Sequence, residues 1–240
     1  MVTSQKKVYF EFMRIIAIAL VIFNHLRGYT LFQISSGWKQ WIYLCITMIT
    51  RINVPLFFMI SGALLLRKDE NFTTVIKKGL PRFLTIILVF EGALFCCYKF
   101  NAVQLGNDYE FTLHRFILGL FSNQLEGTSS YWYLYSYVGL LLTLPFMQRI
   151  ARGIRKEDFW ILLALHFIFY TVPQLINFGL STIDAGAFVV TSSFAIPFAL
   201  SKQFFYPILG YYLDNNVDVN KFKSKHIIGI LTVAFIGIII

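Results

Sequence analysis

Residues 8–28 read VYFEFMRIIAIALVIFNHLRG. A run of about 20 mostly apolar residues is what an α-helix needs to cross a bilayer. Lys6 and Lys7 precede the run, Glu11 and Arg14 interrupt its start, and no small-residue cleavage site follows. That pattern is a retained first span, not a signal peptide. The rest of the chain extends the reading. Of 240 residues, 57% are hydrophobic and only 14% charged, against roughly 25% charged in a soluble domain. Mean hydropathy is +0.65. A chain this apolar cannot cover its own surface with polar groups, so lipid is the expected solvent. Aromatics at 18% fit interfacial belts of Trp and Tyr.

Further apolar runs occupy 41–66, 82–100, 131–149, 158–180 and 187–212, and a last one opens near Ile227. The stretch 111–125 is apolar but short, and holds His114 and Arg115, as an interfacial or re-entrant helix would. The fold expected is all-α: one polytopic transmembrane helix bundle over residues 1–240, with about seven spans, the last one cut short. That last run reaches residue 240 with no polar stop, so the helix is expected to continue beyond it. Lysines and arginines cluster in alternate connections: Lys6 and Lys7; Arg67, Lys68, Lys77, Lys78 and Arg82; Arg149, Arg152, Arg155 and Lys156; Lys221, Lys223 and Lys225. The intervening connections hold Arg27, Lys39, Lys99 and Arg115. Under the positive-inside rule the N-terminus is cytoplasmic and the protein sits in the cell membrane. The net charge of +9 is thereby explained by topology, and with no single basic stripe, nucleic acid is not expected as a partner. The sequon Asn71-Phe72-Thr73 falls on the side read as cytoplasmic and is discounted. Cys45, Cys96 and Cys97 lie in apolar runs with neither disulfide nor metal-ligand spacing, so no metal site is expected.

Ionisable groups at membrane depth cost a few kcal/mol or more and usually face a partner or polar cavity. Arg14 and His25 are eleven residues apart, which on a helix leaves them about 20° from the same face and about 16 Å apart along the axis. One face thus presents a cation at one depth and a proton-exchanging imidazole at another. Snorkelling of each to its own interface is the alternative on periodicity alone. Glu11, at i−3 from Arg14, reads first as a local ion-pair partner. Arg51 lies within the second span near Asn53 and Pro55, where proline frees a backbone carbonyl one turn back. Ser61 and Gly62 read as close-packing residues. Glu91, mid-span, is expected in a structural ion pair with Arg51 or Arg14. No specific role is read for His166 or Lys202. A general base and cations able to hold a polyanionic donor suit acyl transfer to a hydroxyl. They suit a proton-coupled transporter equally.

Four segments, in order, resemble one family. These are Phe10-Glu11-Phe12-Met13-Arg14 with Asn24-His25; Val54-Pro55-Leu56-Phe57-Phe58-Met59-Ile60-Ser61-Gly62; Tyr131-Trp132-Tyr133-Leu134-Tyr135 with Leu144-Pro145; and Tyr206-Pro207-Ile208-Leu209-Gly210-Tyr211-Tyr212. Together they resemble the acyltransferase-3 family of integral membrane acyltransferases, whose members have about ten spans and O-acylate envelope glycans or antibiotics. The resemblance implies an acyl-CoA donor, most often acetyl-CoA, from the cytoplasm. The implied acceptor is a glycan or lipid-linked sugar at or beyond the membrane. No bound cofactor is expected. By position, Arg14 and His25 match the family's paired motif, Glu11 its acidic residue, and Arg51 the residue ahead of the second signature. Lys78 and Arg82 fall where the family often carries Arg-x-x-Arg. Here the stretch reads Lys77-Lys78-Gly79-Leu80-Pro81-Arg82, with different spacing. A glycan or metabolite transporter without acyl chemistry is the second reading.

Overall fold

A computed structural model describes residues 8–27, 37–69, 71–104, 112–125, 128, 131–173, 176–177 and 202–217. Lys6, Lys7, the span near Ile227 with its preceding lysines, and the part of the 187–212 span before Lys202 lie outside them. Every regular element among the described residues is helical. They are α1 (Val8–Leu26), α2 (Trp38–Thr50), α3 (Asn53–Leu65), α4 (Phe72–Gln104), α5 (Leu113–Ser122), α6 (Trp132–Gly153), α7 (Lys156–His166) and α8 (Lys202–Asn216). Among them, α1 and α4 are long and apolar enough to cross a membrane. The all-helical class expected from the sequence is thus found, and two of the expected spans, α1 and α4, are long and apolar enough to cross among the described residues.

The helix boundaries have local causes. The run 41–66 is not one helix. It breaks at Arg51-Ile52, between α2 and α3. Pro55 cannot donate to Arg51, and the turn is closed instead by Ile52 N–H donating to Ile49 O at 3.2 Å. Asn53 Oδ1 then accepts from the Val54 amide at 2.6 Å. Conversely, α4 begins earlier than hydropathy suggested. Its first turns, Phe72–Thr74 and a π-helical turn Val75–Gly79, run into Leu80–Gln104. Lys77, Lys78 and Arg82 thus ride on a helix rather than in a loop. α6 is long enough to cross, but carries Gln148, Arg149 and Arg152 near its end. α7 starts where Asp158 accepts from the Arg155 amide and guanidinium at 3.2 and 3.0 Å.

The exposure pattern is that of a protein in lipid. Phe12 (63%), Ile15 (64%), Leu26 (73%) and Phe121 (83%) are exposed, while Glu91 and Thr128 are fully buried. In water the former would be costly at about 25 cal/mol per Å².

The chain forms two compact units. Residues 1–67 and 150–240 make the first, and 68–149 the second. In the first, α3 packs chiefly on α8, and α1 packs on α3. Phe10 of α1 joins Ile60 and Ala63 of α3 in a small core, with Met13 and Leu56 against it. The α3–α8 seam is a backbone contact. A Cβ added at Gly62 would run into the Pro207 backbone, and one at Gly210 into the Met59 backbone. Small residues allow this approach, and helices in lipid gain their association from such close packing. Phe159 of α7 stacks on Tyr212 of α8 with centroids 3.6 Å apart. In the second unit, α4 meets α6 through Phe83 and Tyr137 (4.6 Å) and meets α5 through Phe95 and Phe116 (5.2 Å).

Replacing Gly62 or Gly210 with Ala should lower stability by about 1–3 kcal/mol, the usual cost of overpacking. Gly79→Ala is the control, because its added methyl meets a Leu141 methyl at an ordinary 3.7 Å. Thermal unfolding in detergent should separate the two classes, with Gly79→Ala unchanged or slightly more stable. Equal melting of all three would remove the seam from the account.

Candidate functional site

α1 is an unbroken helix from Val8 to Leu26, so Arg14 and His25 share a face at about 16 Å of axial rise. Arg14 Nη1 donates to Glu11 Oε1 at 2.9 Å, with both side chains near 40% exposed. Glu11 is thus the local partner its spacing suggested, and the pair remains open to a ligand. His25 stands exposed in the last turn. The next residue but one, Arg27, turns into left-handed backbone (φ 50°). Arg51 is exposed at the α2–α3 break. Lys78 and Arg82 are exposed four residues apart on α4. Arg14, His25, Glu11 and Arg51 belong to the first unit, and Lys78, Arg82 and Glu91 to the second.

Glu91 departs from expectation. It is fully buried, yet its described partner is a phenol rather than an arginine. Tyr135 OH lies 2.8 Å from Glu91 Oε1 and 2.5 Å from the Leu120 carbonyl oxygen. Glu91 Oε2 has no hydrogen-bond partner among the described residues. The apolar runs announced Tyr135 only as part of an aromatic motif. Its partner depended on how α5 folds back.

Three residues that hydropathy gave no role form a second cluster. The buried Asp214 carboxylate, at the end of α8, accepts from the Tyr9 hydroxyl of α1 and pairs with Arg67, just after α3. Arg67 also reaches the Asp214 carbonyl oxygen at 3.4 Å. This ties the start of α1 to the ends of α3 and α8, one turn from the Glu11–Arg14 pair. The signal was available: span counting places all three residues on one side of the membrane.

His166, also without an assigned role, is buried and stacked on Phe205 (3.7 Å, 4°) with Tyr170 beside it. A π-helical turn, Phe167–Thr171, follows directly. The second unit contains a cavity of about 200 Å³ lined by residues including Asp69, Asn71, Phe72, Phe146, Gln148 and Arg149. Among the described residues, no group of three His, Cys, Asp or Glu side chains could hold a metal.

The sequence profile of a family described as an acyltransferase domain matches residues 7–240. The chain belongs to the acyltransferase-3 family. The resemblance carried by Arg14, His25 and the three later signatures therefore holds over nearly its whole length, and the protein is an acyltransferase of the membrane. No curated protein and no solved structure matched.

The Asp214 cluster ties the start of α1, the helix that carries Arg14 and His25, to α8 and to the residue just after α3. Tyr9→Phe should cost about 1 kcal/mol, one hydrogen bond, and Asp214→Ala about 1.5–3 kcal/mol, because a charged partner is removed. A double-mutant cycle by thermal unfolding should show coupling between the two positions. Strict additivity would mean that the tie contributes nothing.

Proposed function

We propose that this acyltransferase is a multi-pass protein of the cell membrane, N-terminus cytoplasmic. It moves an acetyl group from cytoplasmic acetyl-CoA to a sugar hydroxyl of an envelope or exported glycan. The observation that carries the reading is the single unbroken face of α1 that bears Arg14 and His25 in a chain of this family. The broken pair α2–α3, the helices α6, α7 and α8, and the run near Ile227 complete the bundle in this reading. The joined ends of α1, α3 and α8 at Asp214 support a common side for all three.

In the chemistry proposed, the His25 imidazole takes the proton of the acceptor hydroxyl as its oxygen adds to the thioester carbonyl carbon. The carbon–sulfur bond then breaks, the coenzyme A thiolate leaves, and the imidazolium returns the proton to sulfur. The products are the sugar ester and the free thiol. Such base catalysis is worth about 10²–10⁴-fold. Arg14, about 16 Å below along the helix, is too far to touch the same hydroxyl. Its half-exposed guanidinium acts on the donor, and Glu11 orients it. Arg51, Lys78 and Arg82 are the further cations for donor phosphates.

Transfer of labelled acetyl from acetyl-CoA, by the purified full-length protein, to glycan extracted from the membrane is the direct test. His25→Ala should lower turnover by at least about 100-fold with protein level unchanged. Arg14→Ala should raise KM for acetyl-CoA about tenfold, equivalent to about 1.4 kcal/mol. Unaltered acetylation with His25→Ala would sink the assignment of the base. Transport of a glycan with no label transferred would replace the whole reading.

A further inference from the structure

The contacts around Glu91 can be counted in protons. Tyr135 O lies 2.8 Å from Glu91 Oε1 and 2.5 Å from the Leu120 carbonyl oxygen. Both separations are those of full O–H···O hydrogen bonds. The phenol has one proton, the carbonyl has none, and an ionised carboxylate has none. With Glu91 ionised, one proton would have to serve two contacts of full strength. A second proton on Glu91 satisfies both.

We propose that Glu91 is a proton-binding site inside the membrane. It is held as the neutral acid, it donates to Tyr135 oxygen, and Tyr135 donates to the Leu120 carbonyl. Three further observations support the count. Glu91 is fully buried, and it makes no ion pair among the described residues. An uncompensated charge there would cost a few kcal/mol or more. Its Oε2 is unpartnered, which is tolerable for the carbonyl oxygen of an acid but costly for half of a carboxylate. The Leu120 carbonyl belongs to the last turn of α5, where helix carbonyls lack intrahelical partners. The amide that would have reached it, Gln124 N–H, goes to Gly119 O instead.

The titratable groups on the packed elements are His114 and Arg115 on α5, Tyr133, Tyr137, Arg149 and Arg152 on α6, and Lys77, Lys78, Arg82, Cys96, Cys97, Tyr98 and Lys99 on α4. None of them bonds to Glu91. Proton occupancy and the docking of α5 are therefore linked. Loss of the proton turns the phenol toward the carboxylate and frees the Leu120 carbonyl in a place with no water. Docking is complete while Glu91 holds its proton and weakens as pH rises through its titration.

The test uses full-length protein in lipid nanodiscs and does not depend on acyl transfer. At neutral pH the infrared spectrum should contain a protonated-carboxyl carbonyl stretch that is lost in Glu91→Gln and shifted in Tyr135→Phe. Should Glu91→Gln fail to fold, wild-type protein labelled with ¹³C-glutamate, compared with Tyr135→Phe, reads the same band. Amide exchange across Leu113–Ser122, corrected for its intrinsic pH dependence, should accelerate on alkalinisation in wild type. In Glu91→Gln it should not, because the amide always donates. A carboxylate signal for Glu91 at neutral pH, or the same alkaline loosening of α5 in both proteins, would overturn the proposal.

Discussion

In hydrocarbon no water finishes an unmet hydrogen bond, so each polar group at membrane depth has to be met by the protein itself. The described structure is arranged around that constraint. Arg14 has Glu11 one turn away on its own helix. Asp214 is met by a phenol of α1 and a guanidinium just after α3. Glu91 is met by a phenol that also reaches a helix-end carbonyl. The three solutions differ in what they fix. A pair within one helix fixes nothing beyond that helix. The pairs between helices fix where those helices start and stop relative to one another within each unit.

The second requirement is attraction between helices that are no more apolar than the lipid. In the first unit this comes from contact so close that backbone touches backbone, at Gly62 with Pro207 and at Gly210 with Met59. Both glycines lie in the segments that resemble the family signatures, as does each facing residue. Those signatures therefore describe a packing seam and need no catalytic role for Ser61. α1 reaches this seam through a thin apolar contact, Phe10 on Ile60 and Ala63, so the Tyr9–Asp214 bond carries much of its placement.

How far the sequence foretold this depends on the range of each interaction. Glu11 with Arg14, and the shared face of Arg14 and His25, follow from helical periodicity alone, and the structure has both on one helix. The break at Arg51 was half legible. Pro55 marked the lost hydrogen bond, but hydropathy averaged over 41–66 concealed that the helix stops there. The helical placement of Lys77, Lys78 and Arg82 was misread because basic residues were taken to mark a loop, whereas a helix projecting past the apolar layer carries them equally well. Glu91 was misread because an acid in lipid suggests a cation. A neutral acid needs only an acceptor and a donor, and Tyr135 with Leu120 supplies them through a fold-back of α5 that periodicity cannot reveal. Asp214 belongs to the same class: its partners lie 147 and 205 residues away in sequence.

These arrangements bear on how one helix can hold Arg14 and His25 on a single face at two heights. A catalytic face on α1 is useful only if the helix neither slides nor rotates, since one residue of register turns a side chain by about 100°. Lipid offers little resistance to rotation of an apolar helix. The apolar contact with α3 is compatible with several registers, because aliphatic surfaces slide without losing much. A hydrogen bond from Tyr9 to a buried carboxylate is not. It is satisfied at one rotation and one depth, and it lies one turn below Arg14. The polar tie at the foot of α1 thereby selects the register, and the apolar core holds whatever register it selects. Specificity of placement and strength of association thus come from different residues, which is why the face bearing Arg14 and His25 can remain half exposed without the helix becoming loose.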